Sequence, residues 1–169
     1  MSEDDEKWMR HALSLADKAQ AVGEIPVGAV LVKDNQVIGE GWNQSISLND
    51  PCAHAEIIAL RQAGTNINNY RLLDTTLYVT LEPCPMCAGA MVHGRVGRLV
   101  YGAADAKTGS AGSAFNLVAS DKLNHNLDVC AGVLSEQCSE KISAFFRQRR
   151  AEHKALKLAQ KAALAKGEN

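Results

Sequence analysis

Short apolar runs alternate along the chain with segments of helical spacing, and this alternation leaves few architectures open. VGAVLV (27–32), TLYVTL (76–81) and LVYGA (99–103) are rich in β-branched or aromatic residues and are bounded by turn residues. Such runs predict buried strands. With helical segments between them, the chain is predicted to form an α/β layered sheet that is mostly parallel after an opening hairpin.

The other predicted elements follow from periodicity and from turn residues. Asp34-Asn35 predicts a hairpin turn, and Asp50-Pro51 is typical of a helix start. Residues 104–126 are rich in Gly, Ser and Asn, which predicts a long loop with a short helix near Phe115. Further strands are predicted at 37–42 and 129–134, and helices at 4–20, 52–63, 85–93 and from Ser135, the last with an Ala/Lys-rich end that can fray.

Length and composition indicate one globular domain over residues 1–169, with 46% apolar and 22% charged residues. No apolar run approaches the roughly 18 residues of a membrane span. The acidic N-terminus, MSEDDEKW, lacks the apolar core of a secretory signal, so a cytoplasmic protein is expected. In a reducing compartment, five cysteines more often bind metal or carry chemistry than form disulfides.

Charge is unevenly distributed along the chain. From Lys141 onward there are eight Lys or Arg against two Glu, a net charge of +6, while residues 1–140 carry −7. The C-terminal helix, predicted from about residue 135, is therefore a basic arm on an acidic body. This asymmetry suggests an anionic partner for the arm, although a solvated helix would show the same pattern.

Two segments carry residues suited to metal chemistry, each where the chain is predicted to enter a helix. Cys84 and Cys87 in PCPMC share one face of a first helical turn, and a helix N-terminus favours the thiolates that zinc binds. His54 in CAHAE could be a third ligand, leaving the fourth tetrahedral position open, as in catalytic zinc sites. Glu56 is then a candidate to take a proton from water and pass it on.

The same residues admit two other interpretations. A Cys-x-x-Cys that opens a helix after a strand is also typical of a thioredoxin-like dithiol, and so of a redox or metal-binding adaptor without hydrolysis. A structural zinc site closed by Cys52 or His93 is the other. The joint occurrence of His-x-Glu and Pro-Cys-x-x-Cys at two predicted helix starts, 30 residues apart, favours the catalytic zinc site.

The pair H-A-E and P-C-P-M-C resembles the established signature of the zinc-dependent nucleoside and nucleobase deaminases. Over about residues 8–150, the segments EIPVGAVLV, GEGWN, AHAEI, TLYVTLEPCPMCAGAM, YGAADAKTGSAGS and FFRQRR narrow the resemblance to the branch that acts on adenosine in tRNA. The resemblance implies a single deaminase domain with a three-layer α/β/α fold around a mixed five-stranded sheet. It also implies a homodimer that converts the wobble adenosine of an anticodon to inosine.

Roles for individual residues follow from the same resemblance. It makes His54, Cys84 and Cys87 the ligands of one zinc ion per subunit, and Glu56 the proton shuttle. Asn43 would hydrogen-bond the base edge, and Asp105 would lie in a loop beside the target nucleotide. The expected substrate contacts in the base pocket and along the anticodon stem-loop are Val27, Asn43, Ala55, Pro83, Asp105, Phe145, Arg149 and Arg150.

The sequence leaves some points open. The same zinc chemistry could act on a free base or nucleoside, of the cytosine or guanine type, with the basic helix only solvated. Position 52 is Cys where the family often has Thr, and a buried bystander thiol is expected there rather than a competing ligand. Residues 19–23 and the tail from Ala155 match the family pattern poorly.

Overall fold

A computed structural model describes residues 2–167 as a five-stranded sheet between helices, the mixed α/β architecture that the sequence predicts. None of the described helices combines the length and the apolar character that a membrane span needs. The elements, in chain order, are α1 (Glu3–Ala21), β1 (Gly28–Lys33), β2 (Gln36–Trp42), α2 (Ala55–Asn66), β3 (Thr76–Leu81), α3 (Pro85–His93), β4 (Arg98–Ala103), β5 (Asp128–Ala131) and α4 (Ser135–Gly167).

The strand order β2-β1-β3-β4-β5 brings most strand ends to one edge of the sheet. β1 is antiparallel to both β2 and β3, while β3, β4 and β5 are parallel. β2 therefore runs in the same direction as β3, and the carboxyl ends of four strands share an edge. The predicted hairpin turn is confirmed, since Asp34 and Asn35 adopt the positive φ angles of 50° and 57° that such a turn requires.

Alternate strand residues build a core on each face of the sheet. Leu31, Leu77 and Leu99 pack with α2 and α3 on one face. Val30 and Val100, one residue away in their strands, pack with α1 and with the start of α4 on the other. Because strand side chains alternate between faces, uninterrupted apolar strands supply both cores, and the sheet is the middle layer of three.

Glycines in the first two strands let the helices approach the sheet backbone. A Cβ on Gly28 would lie 2.0 Å from the carbonyl oxygen of Ala12 in α1. A Cβ on Gly41 would lie 2.1 Å from the carbonyl oxygen of Ala55, the first residue of α2. Since real side chains do not tolerate such separations, α1 and α2 sit at distances that only glycine permits.

Several predicted boundaries are wrong. α2 begins at Ala55 rather than at residue 52, because Pro51 lies in a turn ahead of the helix. β5 ends at Ala131, before Gly132 (φ 84°) and Leu134 (φ 51°) turn the chain. No helix forms near Phe115, where a single bridge joins Ala111 to Asn116. α4 is helical to Gly167 in the described residues, and fraying of its end stays a prediction.

A buried carboxylate joins α1 to the sheet at the edge opposite the carboxyl ends of the strands. Asp5 accepts hydrogen bonds from Arg98 at 2.7 and 3.1 Å and from the Tyr78 hydroxyl at 3.2 Å. Its side chain is 2% exposed and that of Arg98 34%. The hydrogen bonds from Arg98 hold the pKa of Asp5 well below its usual value, and burial with the nearby Asp5 charge raises the pKa of Tyr78 to about 12.

We expect Arg98→Met to lower the free energy of unfolding at pH 7 by about 2 kcal/mol, below the range for fully buried pairs because Arg98 is partly exposed. The depressed Asp5 pKa contributes its full stabilisation above the unfolded pKa of about 3.9, and this contribution declines progressively as pH falls from there toward the lower folded pKa. The difference between variant and wild type should therefore shrink in acid. Urea unfolding at pH 7 and pH 3 measures this, and Arg10→Met, which breaks only an exposed pair with Glu6, should change little. An undiminished difference at pH 3 would contradict the account.

Candidate metal centre and active site

The start of α2 supplies an imidazole. His54 is the N-cap residue of this helix, with extended backbone (φ −77°, ψ 153°), and its side chain makes no capping hydrogen bond. The cap comes instead from Asn43, whose Oδ1 accepts the N–H of Ala55 at 2.9 Å. Because Asn43 satisfies a helix N–H group that would otherwise lack a partner, the His54 ring is available to other groups.

The start of α3 supplies two thiols. Cys84 is the N-cap residue, Pro85 is the first helical residue and Cys87 lies two residues further on. Proline costs no hydrogen bond at that position, because the N–H it lacks has no partner inside a helix. Cys87 is buried and Cys84 partly so. Both sulfurs therefore lie at the positive end of a helix dipole, which favours the thiolate form.

The three side chains meet at one point. Nδ1 of His54 lies 3.6 Å from the Sγ of Cys84 and 3.6 Å from the Sγ of Cys87, and the three atoms are within 4.8 Å of one another. Zinc bonds of about 2.3 Å to sulfur and about 2.0 Å to nitrogen, at a tetrahedral angle, would separate N from S by about 3.6 Å. The donor set and its spacing thus fit one zinc ion held by three protein ligands.

Glu56 is a buried carboxyl beside these ligands. It is the second residue of α2 and is 3% exposed. Its Oε2 has no hydrogen-bond partner within the described residues, which is rare for a buried polar atom. Burial raises the pKa of Glu56 to about 7. A carboxyl with such a pKa can take up and release a proton near neutral pH.

The two cysteines differ in acidity. The hydrogen bond from Cys87, together with that from His54, lowers the pKa of Cys84 to about 4 against the opposing effect of burial. The same contact between the sulfurs, with burial, raises the pKa of Cys87. The hydrogen bond with Cys84 raises the pKa of His54. Cys84 is therefore the more acidic thiol of the pair and the first to provide a negative charge for a cation.

The residues expected to line a base pocket lie around this centre. Val27, Ala55 and Pro83 are buried. The backbone N–H of Asn43 donates to the carbonyl oxygen of Val27 at 3.2 Å, which fixes the end of β2 against the start of β1. Because the Oδ1 of Asn43 caps α2, its Nδ2 is the part of the carboxamide left for a substrate. The substrate contacts of these four residues stay predictions.

Asp105 lies in the loop after β4. Its carboxylate accepts the N–H of Lys107 at 2.9 Å and the hydroxyl of Thr108 at 2.7 Å. Burial would raise the pKa of Asp105, but the hydrogen bonds from Thr108 and Lys107 outweigh it and lower the pKa. The side chain thus shapes a turn at the edge of the sheet, and its contact with RNA stays a prediction.

The predicted RNA-contacting residues of α4 differ in exposure. Phe145 is 6% exposed, whereas its neighbour Phe146 is 40% exposed. The guanidinium of Arg149 lies 5.8 Å from the centre of the Phe145 ring. Arg149 and Arg150 are both exposed. Of these two phenylalanines, Phe146 is the more open to a partner, and the contact expected for Phe145 stays a prediction.

Two alternative ligands are not part of the centre. Neither Cys52 nor His93 belongs to the cluster of His54, Cys84 and Cys87 within the described residues. Cys52 is exposed, so the expectation of a buried thiol is wrong. The reason is the late start of α2, which leaves Cys52 in a surface turn, its N–H bonded to the Asp50 carboxylate at 2.8 Å. A structural zinc site closed by either residue is therefore not supported.

Sequence reasoning missed two buried carboxylates outside the metal cluster. Glu24, 2% exposed, accepts hydrogen bonds from the backbone and hydroxyl of Ser47 in the segment before α2. Glu82, also 2% exposed, directly follows β3. Burial would raise the pKa of Glu82, but hydrogen bonds from the loop after β4 outweigh it and lower the pKa. A charged residue directly after an uninterrupted apolar strand was the signal for Glu82.

Comparison with known proteins identifies the family. A model of the cytidine and deoxycytidylate deaminase zinc-binding region matches residues 2–103. The chain belongs to the cytidine and deoxycytidylate deaminase family. This confirms the resemblance seen in the sequence, and the zinc-binding region of the family contains the three residues that meet in the structure. The dithiol adaptor without hydrolysis is accordingly set aside.

Individual relatives narrow the position of this deaminase within the family. A tRNA-specific adenosine deaminase from Haemophilus influenzae is 64% identical over 154 residues, covering 90% of this chain and 89% of the relative. Another from Bacillus subtilis is 44% identical over 151 residues, covering 89% and 94%. The deaminase described here thus falls among the tRNA-specific adenosine deaminases.

Solved structures agree with the fold. A structure from a study of A-to-I editing by tRNA A34 deaminases superposes with a TM-score of 0.77 at 41% identity, covering 80% of this chain and 98% of that one. A guanine deaminase from Nitrosomonas europaea superposes with a TM-score of 0.69 at 23% identity, covering 83% of each chain. The second likeness concerns the fold alone, and together they confirm the deaminase-like α/β architecture.

Proposed function

We propose that this deaminase hydrolyses adenosine to inosine at the wobble position of a tRNA anticodon loop, with one zinc ion per subunit. The observation that carries the proposal is the buried Glu56, with an unpartnered oxygen, beside the convergent His54, Cys84 and Cys87. The names of its relatives from Haemophilus influenzae and Bacillus subtilis support adenosine in tRNA as the substrate.

The reaction replaces the amino group on C6 of adenine with oxygen from water and releases ammonia. Zinc, when held by His54, Cys84 and Cys87, supplies a Lewis acid that makes hydroxide available near neutral pH. Glu56 accepts the proton of the attacking water on its free oxygen and delivers it to the departing amino nitrogen. The raised pKa of Glu56 suits both transfers, since neither protonation state is strongly preferred at pH 7.

The base edge is assigned to the Nδ2 group of Asn43. We expect Asn43→Asp to keep the cap on α2, because a carboxylate oxygen caps as well as an amide oxygen, and to keep zinc. The variant loses the N–H donor, so kcat/KM should fall about tenfold or more. Steady-state kinetics and zinc analysis measure this. Asn43→Ala, which also removes the cap, is the comparison, and an unchanged kcat/KM for Asn43→Asp would contradict the assignment.

A basic stripe on α4 supports a nucleic-acid partner. We use this name for Arg150, Lys154, Lys157 and Lys161, which lie on one face of the helix because they recur at intervals of four, three and four residues. All four are exposed, and none forms a salt bridge within residues 2–167. Phosphates of the anticodon stem are the complementary partner.

We expect replacement of Arg150, Lys154 and Lys157 by Gln to weaken stem-loop binding and to make it less sensitive to salt. Each phosphate contact contributes about 0.7–0.9 to the slope of log K against log salt, so the slope should fall by about 2–3. Ala155→Glu, Ala159→Glu and Ala162→Glu together change net charge equally on another face of α4. Equal loss of salt dependence in this control would argue against the stripe as the contact.

The proposal includes a homodimer in the cytoplasm. Support for a second subunit comes from a groove between α2 and α3, where Leu60 and Ala90 are partly exposed above the buried Ile57 and Leu72. Tyr70, 71% exposed, lies at this groove. Exposed apolar surface rimmed by polar groups is typical of protein–protein contacts. Sedimentation of wild type and Tyr70→Glu tests the dimer, and a monomeric wild-type protein would refute it.

The experiment that tests the function is inosine formation in a defined anticodon stem-loop. Zinc-loaded protein should convert the wobble adenosine and leave the same sequence unmodified in a full duplex, where the base is not splayed out for recognition. Free adenosine, cytosine and guanine, assayed in parallel, test the free-base alternative. Faster turnover of any free base or nucleoside than of the stem-loop would overturn the assignment to tRNA.

A further inference from the structure

Glu82 is a buried carboxylate that the reaction described above does not use. It precedes the Pro83-Cys84 segment and is 2% exposed. No Lys, Arg or His within residues 2–167 forms a salt bridge with it. Burying a charge without a countercharge is costly unless hydrogen bonds replace water. An apolar side chain often fills such a place at lower cost, so the carboxylate requires a specific reason.

The loop after β4 provides the hydrogen bonds. Oε2 of Glu82 accepts the N–H of Asp105 at 3.0 Å, and Oε1 accepts those of Ala111 at 3.0 Å and Ser113 at 3.1 Å. All three donors belong to residues 105–113, called here the 105–113 loop. One side chain therefore fastens both ends of this loop.

Packing at this contact is tight. A Cβ on Gly109 would lie 2.4 Å from both Cδ and Oε2 of Glu82, so only glycine lets the loop approach so closely. The N–H of Ser110 donates to the carbonyl oxygen of Pro83 at 2.8 Å. The loop thus rests directly on the segment that carries Cys84.

We propose that Glu82 is a positioning residue that holds the 105–113 loop as one wall of the substrate site. The loop leaves the carboxyl end of β4, next to the end of β3 that leads to Cys84, and ligands of open α/β sheets bind at this edge. Its turn at Asp105 through Thr108 faces solvent, with Lys107 exposed. The proposal rests on the proposed function for the nature of the substrate, but not for the contact itself.

The isosteric variant Glu82→Gln tests this role. Its amide oxygen can still accept hydrogen bonds from the N–H groups of Ala111 and Ser113. Its NH2 group then faces the N–H of Asp105, and two donors cannot form a hydrogen bond with each other. The Asp105 end of the loop is released while the metal ligands stay in place. We expect KM for the anticodon stem-loop to rise about tenfold or more, kcat to change less than about threefold, and zinc content to stay the same.

Two further variants separate positioning from general destabilisation. Asp5→Asn makes the same chemical change at a buried carboxylate near the opposite edge of the sheet, and should leave KM unchanged. Gly109→Ala disturbs the contact from the loop side, keeps the carboxylate, and should raise KM as Glu82→Gln does. Because a Cβ at Gly109 would crowd the Asp105 carbonyl oxygen as well as Glu82, the two variants share only the contact with Glu82, and their effects on log KM should combine to less than the sum of the single effects.

Amide hydrogen exchange of Asp105, Ala111 and Ser113 without RNA gives a second readout. Exchange of the Asp105 amide should be faster in Glu82→Gln, with Ala111 and Ser113 changing less, and exchange of all three should be unchanged in Asp5→Asn. Wild-type KM and exchange in both Glu82→Gln and Gly109→Ala would overturn the proposal, as would an equal KM rise in Asp5→Asn. If the wild-type protein formed no inosine, the proposed function would fail, and exchange alone would then decide whether Glu82 holds the loop.

Discussion

Glu56→Gln is expected to lower kcat for inosine formation by roughly 10²–10⁴-fold, the usual contribution of a general acid–base group. The amide keeps the size of the side chain but cannot take up or deliver the proton. Zinc content should stay near one equivalent per chain, because Glu56 lies outside the cluster of His54, Cys84 and Cys87 that can hold the metal. Single-turnover kinetics on a stem-loop, together with metal analysis, measure both quantities.

A second consequence of Glu56→Gln concerns stability. Burial raises the pKa of Glu56, so the ionised carboxyl opposes folding at neutral pH. We therefore expect the zinc-free variant to have a higher Tm than zinc-free wild type at pH 8, with the gain shrinking toward pH 4, where the carboxyl is protonated in both folded and unfolded chains. Glu40→Gln, at a partly exposed position on β2, is the control and should keep wild-type kcat. Near-wild-type turnover in Glu56→Gln would refute the proton-shuttle role.

Cys87→Ala is expected to abolish both zinc retention and activity. Removing one of three ligands leaves two, and a two-ligand site holds zinc far more weakly in the presence of a chelator. Cys87 is fully buried, so the lost sulfur cannot be replaced from the surface. Zinc analysis after dialysis against chelator and an inosine assay should both fall below about one hundredth of wild type.

Cys52→Ala is the matched control for Cys87→Ala. It removes an exposed thiol two residues before His54 that lies outside the cluster. Zinc content and turnover should equal those of wild type. Retained zinc in Cys87→Ala, or lost zinc in Cys52→Ala, would mean that the three-ligand assignment is wrong.

The fold was predictable from sequence where local features, such as strand periodicity and turn residues, determined the structure. Uninterrupted apolar strands and the Asp34-Asn35 turn predicted the sheet and its hairpin correctly, because strand periodicity and positive φ are local properties. The start of α2 was not predictable in the same way. Pro51 suits a first helical turn, but the helix begins four residues later, where the distant Asn43 supplies the cap.

The candidate site shows the same division. The Cys-x-x-Cys spacing and the family resemblance indicated His54, Cys84 and Cys87, and the structure brings them together. The sequence did not show that the side-chain oxygen of Asn43 caps α2, nor that Glu82 accepts hydrogen bonds from the loop after β4. Both contacts join residues distant in the chain, with partners that are backbone N–H groups, and backbone donors leave no mark in an amino-acid sequence.

Because β2 and α2 pack closely at Gly41, the size of the residue at this position limits how near the start of α2 lies to the sheet. A Cβ added there would lie 2.1 Å from the carbonyl oxygen of Ala55, and Ala55 directly follows His54 in the chain. A larger residue at position 41, although it touches no metal ligand directly, is therefore expected to weaken zinc binding. Searches for inactivating substitutions should include β2, and engineered variants of this strand should retain Gly41.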